Sequence, residues 1–169
     1  YLLDDKGLHT AIWARLALED YVFKGSLRRR LRKIDQCFSV TVGPANPQDA
    51  ERALYRRYID HARGERPDEL AEVLGEESGI CTPFDTWQVS VHDGDRLVAY
   101  SLFDLGSEAI QSIIGVYDPD YAAHGLGFGT LLLEIRFGLA HGVRYHYPGY
   151  IVEGVPFFDY KRRVGDLEY

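Results

Sequence analysis

Six consecutive positions, His124-Gly125-Leu126-Gly127-Phe128-Gly129, are the part of this sequence best suited to meet a charged ligand. They follow a strand-like run ending in Tyr117-Asp118-Pro119-Asp120 and open a helical pattern that stops near Gly142. Glycines on alternate positions let the backbone approach a ligand closely, and the unpaired N–H groups of a new helix favour an anion such as a pyrophosphate. A plain tight turn is the competing reading of the same glycines. The second chemically loaded stretch is Ser26-Leu27-Arg28-Arg29-Arg30-Leu31-Arg32-Lys33, in which five of the six residues from 28 to 33 are basic. Leu27, Leu31 and Ile34 fall on one helical face of it. Cations set this closely attract a phosphate backbone through counterion release; a solvated helix face is the bland alternative.

Composition bounds what such residues can do. The 169 residues, 46% of them hydrophobic, suffice for a sizeable core, and residues 1–169 read as a single domain. A net charge of −7 argues against binding nucleic acid with the whole surface and leaves room for one basic face. Cys37 and Cys81 have no CxxC partner, so neither a zinc site nor a disulfide framework is indicated, and a reducing cytoplasm is the default compartment. The six scattered histidines form no metal pattern. No apolar run reaches the length of a membrane span, and no charged-then-apolar leader opens the chain. Methionine is absent even from position 1, which fits a numbering that begins inside a longer protein or a sequence from which modified methionines were omitted.

The elements that must position the chemistry follow from periodicity. Between Leu8 and Tyr21, the residues Ile12, Ala14, Leu16 and Leu18 share one parity, with Trp13 and Arg15 on the other, the mark of a half-buried strand. Ser26 is placed to cap the basic helix, and Cys37 to Val42 reads as the next strand. Asn46 and Pro47 read as cap and first turn of a helix that carries Ala53, Leu54, Tyr58, Ile59 and Ala62 inward and ends at Gly64. Asp68 caps a short helix through Leu74, and Gly75 to Pro83 has the composition of a loop. Trp87, Val89 and Val91 alternate with polar residues before a hairpin turn at 92–96; Leu97 to Phe103 returns as the partner, and Ser107 to Tyr117 is a third antiparallel strand. After the glycines, Leu131, Leu132, Ile135 and Leu139 form an apolar helical stripe. Val143 to Tyr147 is a last strand, interrupted by Pro148-Gly149 before Tyr150-Ile151-Val152. Proline withholds a ladder donor, so this strand is expected to part from a neighbour there.

An antiparallel hairpin, a further strand, a glycine turn, a long helix and a strand broken where it should splay: this order resembles the GNAT acyltransferase fold. The implied class is α+β, a mixed, mostly antiparallel sheet flanked by helices. The motif of that superfamily, Arg or Gln, two residues, Gly, one residue, then Gly or Ala, is met here with His124 in the first place, followed by Gly127 and Gly129. A narrower likeness covers roughly residues 8 to 163. Tyr55-Arg-Arg-Tyr58, Ser101-Leu-Phe-Asp104-Leu-Gly106, Val116-Tyr117-Asp118-Pro119, Tyr145-His-Tyr147-Pro-Gly149-Tyr150 and Asp159-Tyr160-Lys161 are similar to landmarks of the arginyl-tRNA–protein transferases and their bacterial leucyl-transferring relatives. That family usually carries an N-terminal cysteine cluster associated with an iron–sulfur centre. This sequence has no such cluster, so the centre is not carried over, and Pro148 stands where relatives have leucine.

The resemblance implies an acyltransferase that moves an amino acid from aminoacyl-tRNA to the N-terminal amine of an acceptor protein, with aminoacyl-tRNA as co-substrate and no tightly bound cofactor. The amine must be neutral, the oxyanion stabilised and the leaving hydroxyl reprotonated. On that basis Asp104 holds or deprotonates the amine, against a turn aspartate as the bland reading. Tyr117, Tyr147 and Tyr150 bracket the terminal adenosine or return a proton to the leaving oxygen. His124, Gly125, Gly127 and Gly129 meet the terminal phosphates, and Lys161, with Arg162 or Arg163, attracts an acidic N-terminal side chain of the acceptor. Arg28, Arg29, Arg30, Arg32 and Lys33 grip the tRNA. Two other readings stand beside this one: an acetyl-CoA-dependent N-acetyltransferase, favoured by the glycine turn alone, and a catalytically silent GNAT-like binding domain.

Overall fold

The computed structural model describes residues 2–4, 7–62, 66–75 and 85–169. A small hairpin of β1 (Leu2–Asp4) and β2 (Gly7–His9) precedes the main sheet. That sheet holds β3 (Ala11–Ala17), β4 (Ser39–Pro44), β5 (Asp85–Asp93), β6 (Arg96–Leu105), β7 (Ala109–Tyr117) and β8 (Tyr145–Val152), in the order β3-β8-β7-β6-β5-β4. Every pairing in it is antiparallel except β7 with β8. The helices α1 (Gly25–Cys37) and α4 (Leu126–Ala140) cover one face, and α2 (Asp49–Ile59) with α3 (Leu70–Val73) the other. No helix among the described residues is long and apolar enough to cross a membrane.

Two cores result. On one face Leu27, Leu31 and Ile34 of α1 meet Leu131, Leu132 and Ile135 of α4 above Val89, Ala99, Phe103 and Ile110 of the sheet. On the other, Leu54, Tyr55 and Tyr58 of α2 pack on Tyr100, Leu102 and Val116. Because α4 is sandwiched between sheet and α1, it is buried nearly all round, and the narrow stripe expected from its sequence is widened to include Leu126, Leu133 and Phe137.

Local chemistry moved several expected boundaries. Ser26 lies inside α1, whose N-cap is Lys24 with no side-chain cap, and Cys37 ends that helix rather than opening a strand. The cap of α2 is Gln48, locked in a reciprocal capping box with Glu51, while Asn46 accepts from the Gln48 amide. Glu69, not Asp68, precedes α3. The expected helix end at Gly64, Cys81 and most of the loop from Gly75 to Pro83 lie outside the described residues. Tyr145 to Val152 is one strand that runs through Pro148 and Gly149.

The turn leaving β7 is held by an ion network. Asp118, 1% exposed, caps the 3-10 segment Pro119–His124 through the Asp120 N–H and accepts from the guanidinium groups of Arg57 on α2 (2.9 and 3.1 Å) and Arg96 on β6 (2.6 Å). Three elements therefore converge on one carboxylate that leads directly into the glycine turn. Removing it deletes a cap and leaves two cations unpaired, so Asp118→Ala is expected to cost about 2–3 kcal/mol in urea unfolding; a loss within experimental error would show that the network is ornamental.

Candidate active site

The site is built by a failed pairing. β7 and β8 share only three pairs, Ala109↔Tyr145, Ile110↔His146 and Gln111↔Tyr147, and then diverge. The divergence begins at Pro148, where the sequence placed it, because proline has no N–H to offer a parallel neighbour. Beyond the fork, 112–117 of β7 and 148–152 of β8 form the arms of an open V, and backbone groups facing it are left for a ligand.

The arms and their cover carry the polar groups. The 3-10 segment Pro156–Val164 packs on β8 and delivers Lys161, only 8% exposed, into the region beyond the fork. Its ammonium donates to the Tyr150 carbonyl at 2.8 Å, lies 5.0 Å from the Tyr150 ring centre and 5.3 Å from that of Phe158. It fits because Gly149, at φ +93°, has no side chain; a Cβ there would come within 3.0 Å of Nζ. Burial lowers the Lys161 pKa to about 8. Tyr160 comes from the same segment, is half-exposed, and feels the charges of Tyr58, Glu134, Arg66 and Tyr150; burial of its phenol pushes it up to about 12.

Asp104, Gln111 and Tyr147 lie in one cross-strand row at the fork, through the pairs Asp104↔Gln111 and Gln111↔Tyr147. Asp104 accepts from the Thr86 hydroxyl at 2.7 Å, and the Tyr147 phenol faces the Arg15 guanidinium. Tyr117 stands at the far end of β7, about 20 Å along the strand from that row, where its ring packs edge-on against Tyr58 at 5.3 Å. The structure thus groups Asp104 and Tyr147 but places Tyr117 with the glycine turn.

At that turn the three glycines answer three different neighbours. Gly125, at φ +63°, leaves the space into which the Arg30 guanidinium reaches, and its carbonyl accepts from Arg30 Nη1 at 3.4 Å. A Cβ at Gly127 would meet the Tyr117 ring at 2.9 Å, and one at Gly129 would meet Ile34 Cδ1 at 2.6 Å. His124 sits in a cleft of about 280 Å³ between α1 and the turn, lined also by Ser26, Arg29, Arg30, Lys33 and Phe38. The basic helix and the glycine turn, 95 residues apart at Arg30 and Gly125, are therefore one positively charged surface. Arg28 and Arg32 are exposed on α1 outside the cleft lining. Arg163 extends the charged surface toward the V, since Arg30 and Arg163 both lie over the Phe128 ring. Arg162 faces outward, bonded to the Tyr169 hydroxyl and near Asp159.

A family model described as "Arginine-tRNA-protein transferase, C terminus" matches residues 50–169. The chain belongs to this family. It is 30% identical over 149 residues to an aspartate/glutamate leucyltransferase of Stenotrophomonas maltophilia, covering 83% of this chain and 59% of that protein. It is 33% identical over 165 residues to the enzyme of the same name from Phenylobacterium zucineum, covering 92% of this chain and 63% of that one. The chain thus spans about three-fifths of the length of these relatives. Among solved structures it resembles a tandem GNAT protein from the clavulanic acid biosynthesis pathway, with TM-score 0.59 and 13% identity over 95% of this chain and 50% of that one, a likeness of fold. The α+β, GNAT-like sheet expected from the sequence is the observed one.

Within this transferase-family fold, sequence reasoning missed Glu134, His146 and Arg66. The signals were there: a lone acid among Leu131-Leu132-Leu133 and Ile135 on an apolar helix, and a histidine alternating with tyrosines on a strand. Arg66 lies over Tyr58 at 5.2 Å and Phe157 at 5.9 Å, near the mouth of the V. Lys161 gives the sharpest physical test of the site. Its pKa is 10.5 in the unfolded chain and about 8 in the fold, so below about pH 8 its burial cost is fully present. Between those pH values the unfolded chain binds the extra proton and stability rises with pH. Lys161→Met is expected to be more stable than the parent at pH 7 by roughly 1–3 kcal/mol, with the gain shrinking as pH climbs toward 10. A Met variant that is less stable, or whose gain ignores pH, would show that the ammonium is better compensated than its one carbonyl partner indicates.

Proposed function

We propose that residues 1–169 act as the catalytic unit of a cytoplasmic aminoacyl-tRNA–protein transferase, moving an amino acid from aminoacyl-tRNA to the N-terminal amine of an acceptor that begins with Asp or Glu. The observation that carries this reading is the continuity between the V, with its buried ammonium, and the basic cleft beside it. Family membership supports it, as do the relatives named aspartate/glutamate leucyltransferase. A donor whose reactive ester ends a polyanion needs both an opening shielded from solvent for the acyl group and cations for the phosphates behind it.

In this mechanism the cleft of Arg29, Arg30, Lys33 and His124 takes phosphates of the donor's acceptor end, with Arg28 and Arg32 reaching the flanking backbone. Tyr117 and Tyr150 offer ring faces to the terminal adenosine. The acceptor amine attacks the ester carbonyl, forms the amide and expels the ribose hydroxyl. Asp104, through water, takes a proton from the amine, and the Tyr147 phenol in the same row returns one to the leaving oxygen. Lys161 attracts the acidic side chain of the acceptor's first residue, with no carboxylate of its own to compete among the groups that shift it.

The chemistry sets a pH profile. An α-amine of pKa near 8 must lose its proton to attack, while Lys161 must keep one to hold the acidic side chain, so kcat/KM is expected to peak near pH 8. Lys161→Arg should flatten the alkaline limb, and an unchanged limb would assign it elsewhere. The donor class is tested with labelled leucyl-tRNA, arginyl-tRNA or acetyl-CoA and peptides beginning in Asp, Glu, Arg or Lys. Label passing from tRNA alone to the acidic peptides is the expected result; label from acetyl-CoA, or from neither, overturns the reading. Replacing Arg29, Arg30 and Lys33 with alanine should lower the slope of log affinity against log salt for tRNA by about 2–3, and an unaltered slope removes the cleft from the interface.

A further inference from the structure

Among the described residues, the Glu134 carboxylate is a fully buried group that its surroundings leave half-satisfied. Glu134 and His146 are both 0% exposed, joined by a 3.0 Å contact between Glu134 Oε2 and His146 Nε2. The other carboxylate oxygen, Glu134 Oε1, has no hydrogen-bond partner, and neither has His146 Nδ1. Buried polar atoms in native proteins are almost always paired, so an orphan carboxylate oxygen at zero exposure is a place where a donor can be received.

Its location says what. Along α4, Thr130 faces Gly115 on the β7 arm, and Gly138 faces Ile110 below the fork. Glu134, one turn from each, therefore stands level with the fork, beside the last paired residues Gln111 and Tyr147. From the covering segment, the Tyr160 phenol lies within electrostatic reach of Glu134. Lys161, one residue on from Tyr160, is a second buried ionisable group beside the V, its ammonium donating to the Tyr150 carbonyl. Among the described residues no ion pair joins Lys161 to Glu134, whose one partner is His146. A ligand that satisfies Glu134 presents a cation or a hydrogen-bond donor to it, and for a donor lying in the V the group placed at the fork is the acyl end.

We propose that Glu134, oriented by His146, receives the α-ammonium group of the donor's aminoacyl ester, so that the site selects acyl groups carrying a free amine. This rests on the transferase reading and deepens it. Held as an ammonium by a buried carboxylate, the donor's own amine is no nucleophile, while the acceptor amine across the V is deprotonated to attack. An acetyl group has nothing to offer Glu134 and leaves the carboxylate buried without a counter-charge, which disfavours it as donor.

The test compares two donors on the unaltered chain: leucyl-tRNA, and the same tRNA esterified with 2-hydroxy-4-methylpentanoate, in which a hydroxyl replaces the ammonium. With a peptide beginning in Asp as acceptor, the hydroxy donor is expected to react about 10- to 100-fold more slowly. Glu134→Gln should bring the two donors to within about threefold of each other by slowing leucyl transfer. Equal rates from both donors in the unaltered chain, or undiminished discrimination in a folded Glu134→Gln, overturn the inference. The donor comparison decides the matter even where Glu134→Gln does not fold. If leucyl-tRNA and arginyl-tRNA both fail to transfer, the transferase reading falls and this inference falls with it; equal transfer from the leucyl and hydroxy donors sinks the inference alone.

Discussion

The parting of β7 from β8 after Gln111 and Tyr147 is the constraint on which the rest of the molecule turns. A sheet that stayed paired would seal this region with ladder hydrogen bonds and leave no opening. Pro148 has no N–H for a parallel partner, and Gly149 adopts a left-handed backbone at the next residue, so β8 leaves its neighbour without ceasing to be a strand. It can do so because β3 holds its other edge, with Trp13↔Tyr150 and Ala14↔Gly149 in register. The opening is thus made from one edge of one strand while the sheet stays continuous on the other.

Around that opening, the buried charged groups are satisfied unevenly. Asp118 illustrates the stable solution: a buried carboxylate surrounded by Arg57, Arg96 and a backbone N–H. Lys161 and Glu134 do not follow it. The first has one carbonyl and two ring faces, and the second has one imidazole and a bare oxygen. Under-satisfied charges of this kind are common where charged substrates are received, and the contrast sets Lys161 and Glu134 apart from the scaffold.

The glycine turn has a narrower part in this than its sequence suggests. Gly127 and Gly129 are explained by the Tyr117 ring and by Ile34, so they serve the packing of α4 against its neighbours. What remains for an anion is the flank at His124, where α1 contributes Arg29, Arg30 and Lys33. The phosphate site proposed here is a property of two elements brought together, since the cleft is lined by both.

Much of the architecture was legible because it is written in local patterns. The alternation of Trp87, Val89 and Val91, the turn after them and the apolar stripe of α4 depend on residues near one another in the chain, as does the loss of a ladder donor at Pro148. The family was legible for the same reason, since its landmarks are short and ordered. Boundaries failed where capping was decided among close alternatives: the Gln48–Glu51 box displaced Asn46, and α1 starts after Lys24, with no side-chain cap, before Ser26 is reached. The composition of the site was decided by tertiary structure alone. Periodicity shows that Glu134 lies on a helix and His146 on a strand, but only the packing of α4 across the fork makes them a pair. Lys161 reads as part of a cationic tail until Gly149 admits it to the interior, because burial, which sets what a charge can do, is fixed by contacts between residues far apart in sequence.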